Sequence, residues 1–427
     1  MKVLMFGWEF PPHIAGGLGT ACYGMTKGLA HSGVEVLFVM PSASGDEDQS
    51  SVQIINASDV AVYDSCHNVD EFLSKVQFLR VGSNMHPYID PLDFTELVEE
   101  ERRGQSDEFK FYFRQKYKFS GKYGKNLMEE VSRYAMVAGA IASANQFDVI
   151  HAHDWLTYLA GIAAKRVSGK PLVIHVHATE FDRGSSVNPE VFRLEKMGME
   201  EADKVITVSN LTRNIVINKY GIDASKVVTV HNAVDFSGRG HMEVQRGVKE
   251  KVITFLGRIT FQKGPEYFIE AAAKVLKMYP DVRFVMAGSG DMMNRCIRQV
   301  ARLGIANRFY FTGFLRGDDV QKMFALSDVY VMPSVSEPFG ISPLEAMKSD
   351  VPTIISKQSG VAEVLKYAIK VDFWDIDALA DAMYGLLRYP ALSKVAIEKG
   401  RAEVDSLKWD SAALKVKKVY ESAINGQ

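Results

Sequence analysis

Two cations in one short loop are the first residues in this sequence that could do chemistry. Arg258 and Lys263 lie in the segment GRITFQKG, which follows an apolar, strand-like run and precedes a helical pattern. At the end of a strand, a guanidinium and an ammonium can converge on a diphosphate, the guanidinium through a planar fork and the ammonium as a point charge. Taken alone, the pattern fits two solvated loop cations equally well.

Two carboxylates lie further along, in the segment SEPFGISPLEAM. Ser342 is predicted to be an N-cap with Pro343 at the first helical position, so Glu345 completes a capping box. Glu337 has no such role, because it lies in the loop before the helix, where free N–H groups would hold a phosphate. A carboxylate beside an anion site is costly unless it has another function. Hydrogen bonding to sugar hydroxyls is one.

A glycine-rich loop, Gly16-Gly17-Leu18-Gly19, follows the first predicted strand and precedes a helix. Glycines allow backbone N–H groups to approach an anion at the positive end of a helix, although a tight turn alone also explains them. The spacing G-x-G-x-x-G of dinucleotide-binding loops is absent, so the sequence gives little support for nicotinamide binding.

Two His-x-His pairs, His151/His153 and His175/His177, lie on predicted strands. Because the strand repeat is two residues, each pair shares one face of its sheet. The pairs could bind a metal, but neither a cysteine nor a carboxylate completes a clear ligand pattern, and we predict no metal. We expect instead that the last histidine of each strand faces a cleft and that the others are packed.

Composition excludes several classes of protein. Lys plus Arg number 50 and Asp plus Glu number 52, which gives a net charge of −2 and argues against a nucleic-acid-binding protein. No apolar run approaches the ~18 residues of a membrane-spanning helix. The N-terminal segment has too short an apolar run for a signal peptide and is predicted to be a strand. Cys22, Cys66 and Cys296 form no disulfide framework, which favours a reducing compartment such as the cytoplasm.

Short apolar runs alternate with longer amphipathic stretches along most of the chain. This alternation predicts an α/β protein in which helices cover both faces of parallel sheets. One series of predicted strands comprises residues 3–8, 34–41, 147–153, 171–177, 204–209 and 227–232, and a second comprises 252–257, 282–288, 308–313, 328–333 and 351–356. The polar segment 235–251 is predicted to be a linker. Two such units imply a ligand-binding cleft at the carboxyl ends of their strands.

Residues 109–125, FKFYFRQKYKFSGKYGK, interrupt this pattern with six basic residues, seven aromatic residues and no acidic ones. One interpretation is the start of a long helix with buried aromatics and solvated cations. The other is a surface for sugar rings or anionic groups.

An ordered set of segments then resembles a known family. The set is WEFPPHIAGGLG, DVIHAHDW, VHATEFDR, VSN, VHNAVD, GRITFQKG, AGSGD, FTGFL and EPFGISPLEAM, and it spans most of the chain. It resembles the retaining glycosyltransferases of the GT-B fold, and among them the glycogen and starch synthases. Glu337 and Glu345 match the family's E-x7-E signature. The resemblance implies two Rossmann-like, doubly wound parallel sheets that face each other across a cleft.

The resemblance also divides the chain. Residues 1–235 would form an N-terminal acceptor domain, 236–250 a linker and 251–400 a C-terminal sugar-nucleotide-binding domain. Residues 401–427 would form a terminal helix that is able to pack back on the first domain.

Roles follow by position from the same resemblance. Arg258 and Lys263 would bind the diphosphate of a sugar nucleotide, and Glu337 would bind hydroxyls of its sugar. Glu345 would bind the ribose, which is compatible with helix capping. His153 would lie at the donor sugar. The other substrate-binding positions are Gly16 and Gly17 near the phosphate, the backbone of Phe339, Gly340 and Ile341, Thr312 and its neighbours at the nucleobase, and His177.

The implied activity is that of a retaining, metal-independent hexosyltransferase without a cofactor. UDP-glucose or ADP-glucose would be the donor, and glycogen or another α-1,4-glucan the acceptor. Ile14 stands where many bacterial and plant synthases have lysine, which argues against a preference for ADP-glucose and weakens the synthase assignment.

The alternative is a related transferase that acts on a lipid-linked or small acceptor with peripheral membrane contact. Residues 109–125 would suit either a polymeric acceptor or anionic lipid. A non-catalytic bilobal binding protein fits less well because no signal peptide is expected. A glycan phosphorylase also fits less well because the sequence offers no candidate lysine for pyridoxal phosphate.

Overall fold

The computed structural model describes residues 1–13, 17–63, 114–121, 127–184, 186–234 and 244–426. Gly16 and most of the predicted linker lie outside these ranges. Two parallel sheets, each flanked by helices, confirm the predicted α/β fold.

The first domain is built around a seven-stranded sheet. Its strands are β1 Lys2–Phe6, β2 Glu35–Met40, β3 Gln53–Asn56, β6 Val149–His153, β7 Leu172–Val176, β8 Lys204–Thr207 and β9 Val227–Thr229, and a separate antiparallel pair is formed by β4 Ala61–Tyr63 and β5 Arg114–Lys116. The helices are α1 Gly17–His31, α2 Leu127–Ala144, α3 Trp155–Ser168, α4 Glu180–Arg183, α5 Pro189–Glu201 and α6 Asn210–Tyr220. The strand order is β3-β2-β1-β6-β7-β8-β9, with every pair parallel.

The second domain repeats this design with six parallel strands. Its strands are β10 Lys251–Leu256, β11 Val282–Ala287, β12 Phe309–Gly313, β13 Val329–Met332, β14 Thr353–Ser356 and β15 Ile369–Val371, in the order β12-β11-β10-β13-β14-β15. Its helices are α7 Pro265–Met278, α8 Met293–Arg302, α9 Asp318–Leu326, α10 Ser342–Lys348, α11 Ile376–Arg388 and α12 Pro390–Ser406. A last helix, α13 Trp409–Ile424, ends the described chain.

Both faces of the first sheet are buried. Alternate residues of β1 belong to different apolar clusters: Leu4 and Phe6 pack with α2 and α3, whereas Val3 and Met5 pack with α1 and α13. Burial on both sides is the reason the central strands are mostly apolar, and it made them predictable from sequence. Strands β3, β4, β5 and β15 have only three or four residues each and were not predicted.

The chain returns to the first domain at its end. Helix α12 packs on α10, where Gly400 lies against the side chain of Met347. Leu407 and Lys408 then separate α12 from α13, which packs on α1. The region predicted as a single terminal helix from residue 401 is therefore divided between two helices on different domains.

Among the described residues, no helix is both long enough and apolar enough to cross a bilayer.

Candidate active site

The loop after β10 carries both predicted cations. Lys263 ends a short 3-10 turn, and Gly264 follows it with a positive φ of 64°. A β-carbon at Gly264 would lie 2.1 Å from the carbonyl oxygen of Pro333, so the loop passes close to the chain that follows β13. This close approach brings Lys263 toward the segment that contains Glu337.

Lys263 and Glu337 form an ion pair between Nζ and Oε2. The Glu337 side chain is 8% exposed and that of Lys263 is 21% exposed. Ser334 Oγ donates to the same carboxylate oxygen at 3.4 Å. The backbone of Glu337 is fixed as well, because its N–H bonds to the carbonyl of Gln358 and its carbonyl accepts from the N–H of Gly360. The structure thus brings together two predicted site residues that lie 74 positions apart.

Arg258 is exposed and has no side-chain partner within the part of the chain that the structure describes. It follows β10 directly, and backbone contacts align the ends of three neighbouring strands at this edge. Gly257 N–H bonds to the carbonyl of Ala287, and Gly288 N–H bonds to that of Gly313. Thr312, near the end of β12, is exposed at the same edge. Arg258 and Thr312 therefore both lie at the carboxyl edge of the second sheet.

The predicted donor-binding loop, residues 339–341, lies opposite Gly17, which begins helix α1 of the first domain. A β-carbon on Gly17 would lie 4.0 Å from Cδ1 of Ile341, and Ile341 packs against apolar clusters of both domains. Phe339 is buried. Gly340, at a φ of 102°, lies against the side chains of Met332 and Glu337. The loop 339–341 thus touches Glu337 on one side and faces Gly17 on the other.

The predicted capping box at the start of α10 is wrong. The cap position is Ile341, in helical conformation, and it has no side-chain capping bond. The Ser342 hydroxyl is instead paired with the hydroxyl of Tyr330 at 2.8 Å. Glu345 lies in the first turn of α10.

The four histidines form one stack at the carboxyl ends of β6 and β7. Centroids of the rings lie 4.1 Å apart for His151 and His153 and 4.4 Å apart for His175 and His177. His153 Nδ1 and His177 Nε2 share a hydrogen bond of 2.9 Å. Only His177 is partly exposed, whereas His153 is fully buried. His153 therefore has no exposed surface, contrary to the expectation that it faces the cleft.

Burial decides the charge of this stack. It lowers the pKa of His151, His153 and His175 well below their ordinary value, and neighbouring histidines lower it further. It also lowers the pKa of His177 to about 3. All four imidazoles are consequently neutral near pH 7.

Asp154 joins the two histidine strands and was not predicted. It has a positive φ of 57°, and its Oδ1 accepts from the N–H groups of His177 and Ala178 at 2.7 and 3.3 Å. Burial raises the pKa of Asp154 to about 6, although Arg183 and these N–H groups act in the opposite direction. Nothing in the segment HDW predicts that the Asp154 carboxylate would accept hydrogen bonds from backbone N–H groups of a neighbouring strand end.

Two contacts that hold the domains together were also missed. Ser336 Oγ donates to Asp182 at 2.5 Å. Glu363 accepts from the N–H groups of Asn210 and Leu211 at 2.9 and 2.8 Å, and it pairs with His231 Nε2 at 2.7 Å. A carboxylate of the second domain thus caps helix α6 of the first, which only the folded arrangement could reveal.

The basic and aromatic segment 109–125 is described only at residues 114–121. There, the predicted long helix is wrong, because residues 114–116 form β5 and helix α2 begins at Leu127. Phe119 is buried against Tyr134, and Lys116 and Lys118 are exposed. The rest of the segment lies outside the described residues.

Comparison with known proteins identifies the family. The family model for the starch synthase catalytic domain matches residues 2–230, which is more than half of the chain, and the model for glycosyl transferases group 1 matches residues 241–403. The chain belongs to the GT-B glycosyltransferases.

Individual relatives have low sequence identity to this chain, but they align with it over nearly its full length. An uncharacterized glycosyltransferase of Methanocaldococcus jannaschii is 28% identical over 445 residues and covers 99% of both chains. A glycogen synthase of Mycobacterium tuberculosis is 23% identical, with 100% of this chain and 96% of the relative covered. The structure of a sucrose-phosphate synthase from Thermosynechococcus elongatus matches with a TM-score of 0.72 at 17% identity, with 100% of both chains covered, and supports the fold alone.

Gly264 gives a direct test of how this glycosyltransferase positions Lys263. Gly264→Ala should lower the free energy of unfolding by roughly 1–3 kcal/mol, because it adds left-handed strain and a contact with Pro333. It should also lower activity by moving Lys263. Chemical denaturation and initial rates would measure the two effects. Gly304→Ala is the matched control, since Gly304 has a φ of 70° but nothing within 4 Å of a β-carbon. Equal losses in both variants would show that the contact with Pro333 is unimportant.

Proposed function

We propose that this glycosyltransferase transfers glucose from UDP-glucose or ADP-glucose to an α-1,4-glucan such as glycogen, with retention of configuration. The observation that carries the proposal is the Lys263–Glu337 pair at the carboxyl edge of the second sheet, beside a loop that faces Gly17. The similarity to glycogen synthase over the full chain supports this acceptor class.

The cations would take up the charge of the leaving group. Departure of a nucleoside diphosphate leaves negative charge on phosphate oxygens, and fixed cations stabilise that charge in the transition state. Lys263 has three N–H donors, so it can keep its bond to Glu337 and still bind a phosphate oxygen. Arg258 is exposed at the same edge and would supply a planar fork. We therefore propose that the transfer step needs neither a metal nor a cofactor.

The carboxylate would position the sugar. Glu337 accepts hydrogen bonds and would bind hydroxyls of the donor glucose, while the backbone of Phe339, Gly340 and Ile341 holds the sugar and phosphate. Gly17, with Gly16 before it, would approach the phosphates from the first domain. Glu345 would bind the ribose and Thr312 would lie at the nucleobase.

We propose that retention arises in a single step in which both bond changes occur on one face of the sugar. The bond from the anomeric carbon to the donor phosphate oxygen breaks, and the nucleoside diphosphate leaves with the electron pair. An acceptor hydroxyl oxygen bonds to the same carbon from the same side. Its proton passes to an oxygen of the departing phosphate, so no further base is needed.

His177 and His153 would have different roles at the donor sugar. His177 is the partly exposed member of its pair, and we propose that it contacts the donor sugar. His153 is buried and shares a hydrogen bond with His177, so it would position that ring.

Contacts such as Ser336 with Asp182 would keep the two domains closed on the donor. Closure would exclude water, which otherwise hydrolyses the donor.

The test is nucleoside diphosphate release from UDP-glucose and from ADP-glucose, each with and without glycogen. Release that depends on glycogen, and that is unchanged without added Mg²⁺ or Mn²⁺, would support the proposal and name the donor. Susceptibility of the new linkages to an α-1,4-specific glucanase would report the stereochemistry. Folded protein that releases neither UDP nor ADP would overturn the synthase proposal. A lipid-linked acceptor presented in vesicles would then be the next substrate to test.

A further inference from the structure

The histidine stack contains an unusual number of buried nitrogens without a partner. Within the described part of the chain, His151 Nε2, His153 Nε2 and both ring nitrogens of His175 are buried and have no hydrogen-bond partner. Buried polar atoms are nearly always satisfied, and a group of unsatisfied atoms points to a bound water or ion. Four such atoms in one stack are too many to explain as separate exceptions.

The remaining nitrogens of His151 and His153 do have partners. His151 Nδ1 bonds to the hydroxyl of Tyr420 at 2.6 Å, and His153 Nδ1 bonds to His177 at 2.9 Å. Histidines that bind a metal through one nitrogen normally hydrogen-bond through the other, which fixes the ring and its tautomer. Two rings of the stack show this arrangement, with Nε2 left available in each.

We propose that His151, His153 and His175 together bind one divalent transition-metal ion of the zinc class. A ring nitrogen from each of the three lies within 4.8 Å of the other two. Zinc takes imidazole nitrogen at ~2.0–2.1 Å in tetrahedral geometry, so the stacked rings would have to reorient for their nitrogens to share one ion. The inference goes beyond the proposed transfer reaction and does not depend on it.

A second set, Cys22 with His153 and His177, shares His153 but is the poorer candidate. His153 and His177 already bond to each other there.

The ion would have a structural role. Tyr420 lies on α13, 269 residues after His151, so the site joins the returning helix to the centre of the first sheet. On the other side, His153 holds His177, the histidine proposed at the donor. Binding would therefore order the packing of α13 and the orientation of His177.

The experiment uses the full chain purified without a polyhistidine tag. After loading with Zn²⁺ and dialysis, metal content is measured by mass spectrometry, and Co²⁺ is substituted to record the visible spectrum. We expect about one ion per chain and a tetrahedral Co²⁺ spectrum without a thiolate charge-transfer band. Tyr420→Phe should weaken Zn²⁺ affinity roughly 10–100-fold, as expected for a residue that orients a ligand.

Two further variants separate the candidate sets. His175→Gln should abolish binding, and Cys22→Ser should leave it unchanged. A thiolate band, or loss of metal in the Cys22 variant with retention in the His175 variant, would overturn the assignment. Wild-type protein that retains neither Zn²⁺ nor Co²⁺ would also overturn it and leave ordered water as the occupant. If His175→Gln does not fold, the wild-type spectrum and Tyr420→Phe still decide the question.

Discussion

Glu337→Gln and Lys263→Ala should each lower donor turnover roughly 10²–10³-fold, which for Lys263 is the loss typical of removing one group that stabilises transition-state charge. The amide introduced by Glu337→Gln is uncharged and has one acceptor oxygen where the carboxylate has two, so it would bind the sugar hydroxyls less well. Lys263→Ala would remove one of the two cations proposed to bind the departing diphosphate. Initial rates of nucleoside diphosphate release at saturating donor would measure the effect. Both variants should keep the wild-type circular dichroism spectrum.

The ion pair also has a structural effect that must be separated from catalysis. Lys263→Ala leaves a buried carboxylate unpaired, a change that costs about 3–5 kcal/mol when a pair is fully buried. The double variant Lys263→Met with Glu337→Gln leaves no buried charge, so it should regain stability but remain inactive. A double variant that recovers both would show that the pair is only structural. Lys274→Ala is the matched control, because it removes an exposed ion pair with Asp377 and should leave turnover unchanged.

Trp409→Ala should lower the free energy of unfolding by about 3–5 kcal/mol, the range for deleting a buried aromatic side chain. Trp409 is buried at the start of α13 and lies against Gly24 and Gly28 of α1. A β-carbon at Gly24 would be 2.1 Å from its Nε1, so only glycine leaves room for the ring. Removing the indole would leave a cavity where the returning helix meets the first domain.

Urea denaturation followed by circular dichroism would measure this loss. Trp374→Ala is the control, since Trp374 is 58% exposed and its removal should change stability by less than about 0.5 kcal/mol. If Trp409→Ala lowered the free energy of unfolding as little as Trp374→Ala, α13 would contribute little to the stability of the first domain. Gly24→Ala should resemble Trp409→Ala, because it displaces the same ring.

Much of the architecture could be predicted because it depends on local residue types. A strand buried on both faces is mostly apolar, and β1, β2 and β10 show that pattern in the sequence. Short elements such as β4 and β5 have only three residues each and carry no such signal. Their pairing depends on contacts between segments far apart in the chain.

The candidate site was predictable in its residue types but not in its contacts. Sequence placed Lys263 and Glu337 in loops after strands, and the structure joins them in an ion pair. The sequence also placed His153 at a strand end. It did not reveal that this ring is fully buried and hydrogen-bonded to His177. The predicted capping box is absent because the Ser342 hydroxyl bonds to the hydroxyl of Tyr330, which lies on β13.

The sequence by itself determined the α/β class, the two repeated units and the loops in which cations, carboxylates and glycines lie. These properties follow from apolar periodicity and from residue chemistry within short segments. Only the tertiary structure decided which of those groups meet. Glu363 caps a helix more than 150 residues away, and Tyr420 reaches His151 across 269 residues. Such contacts depend on how whole domains and helices pack, and packing is not encoded in any local pattern.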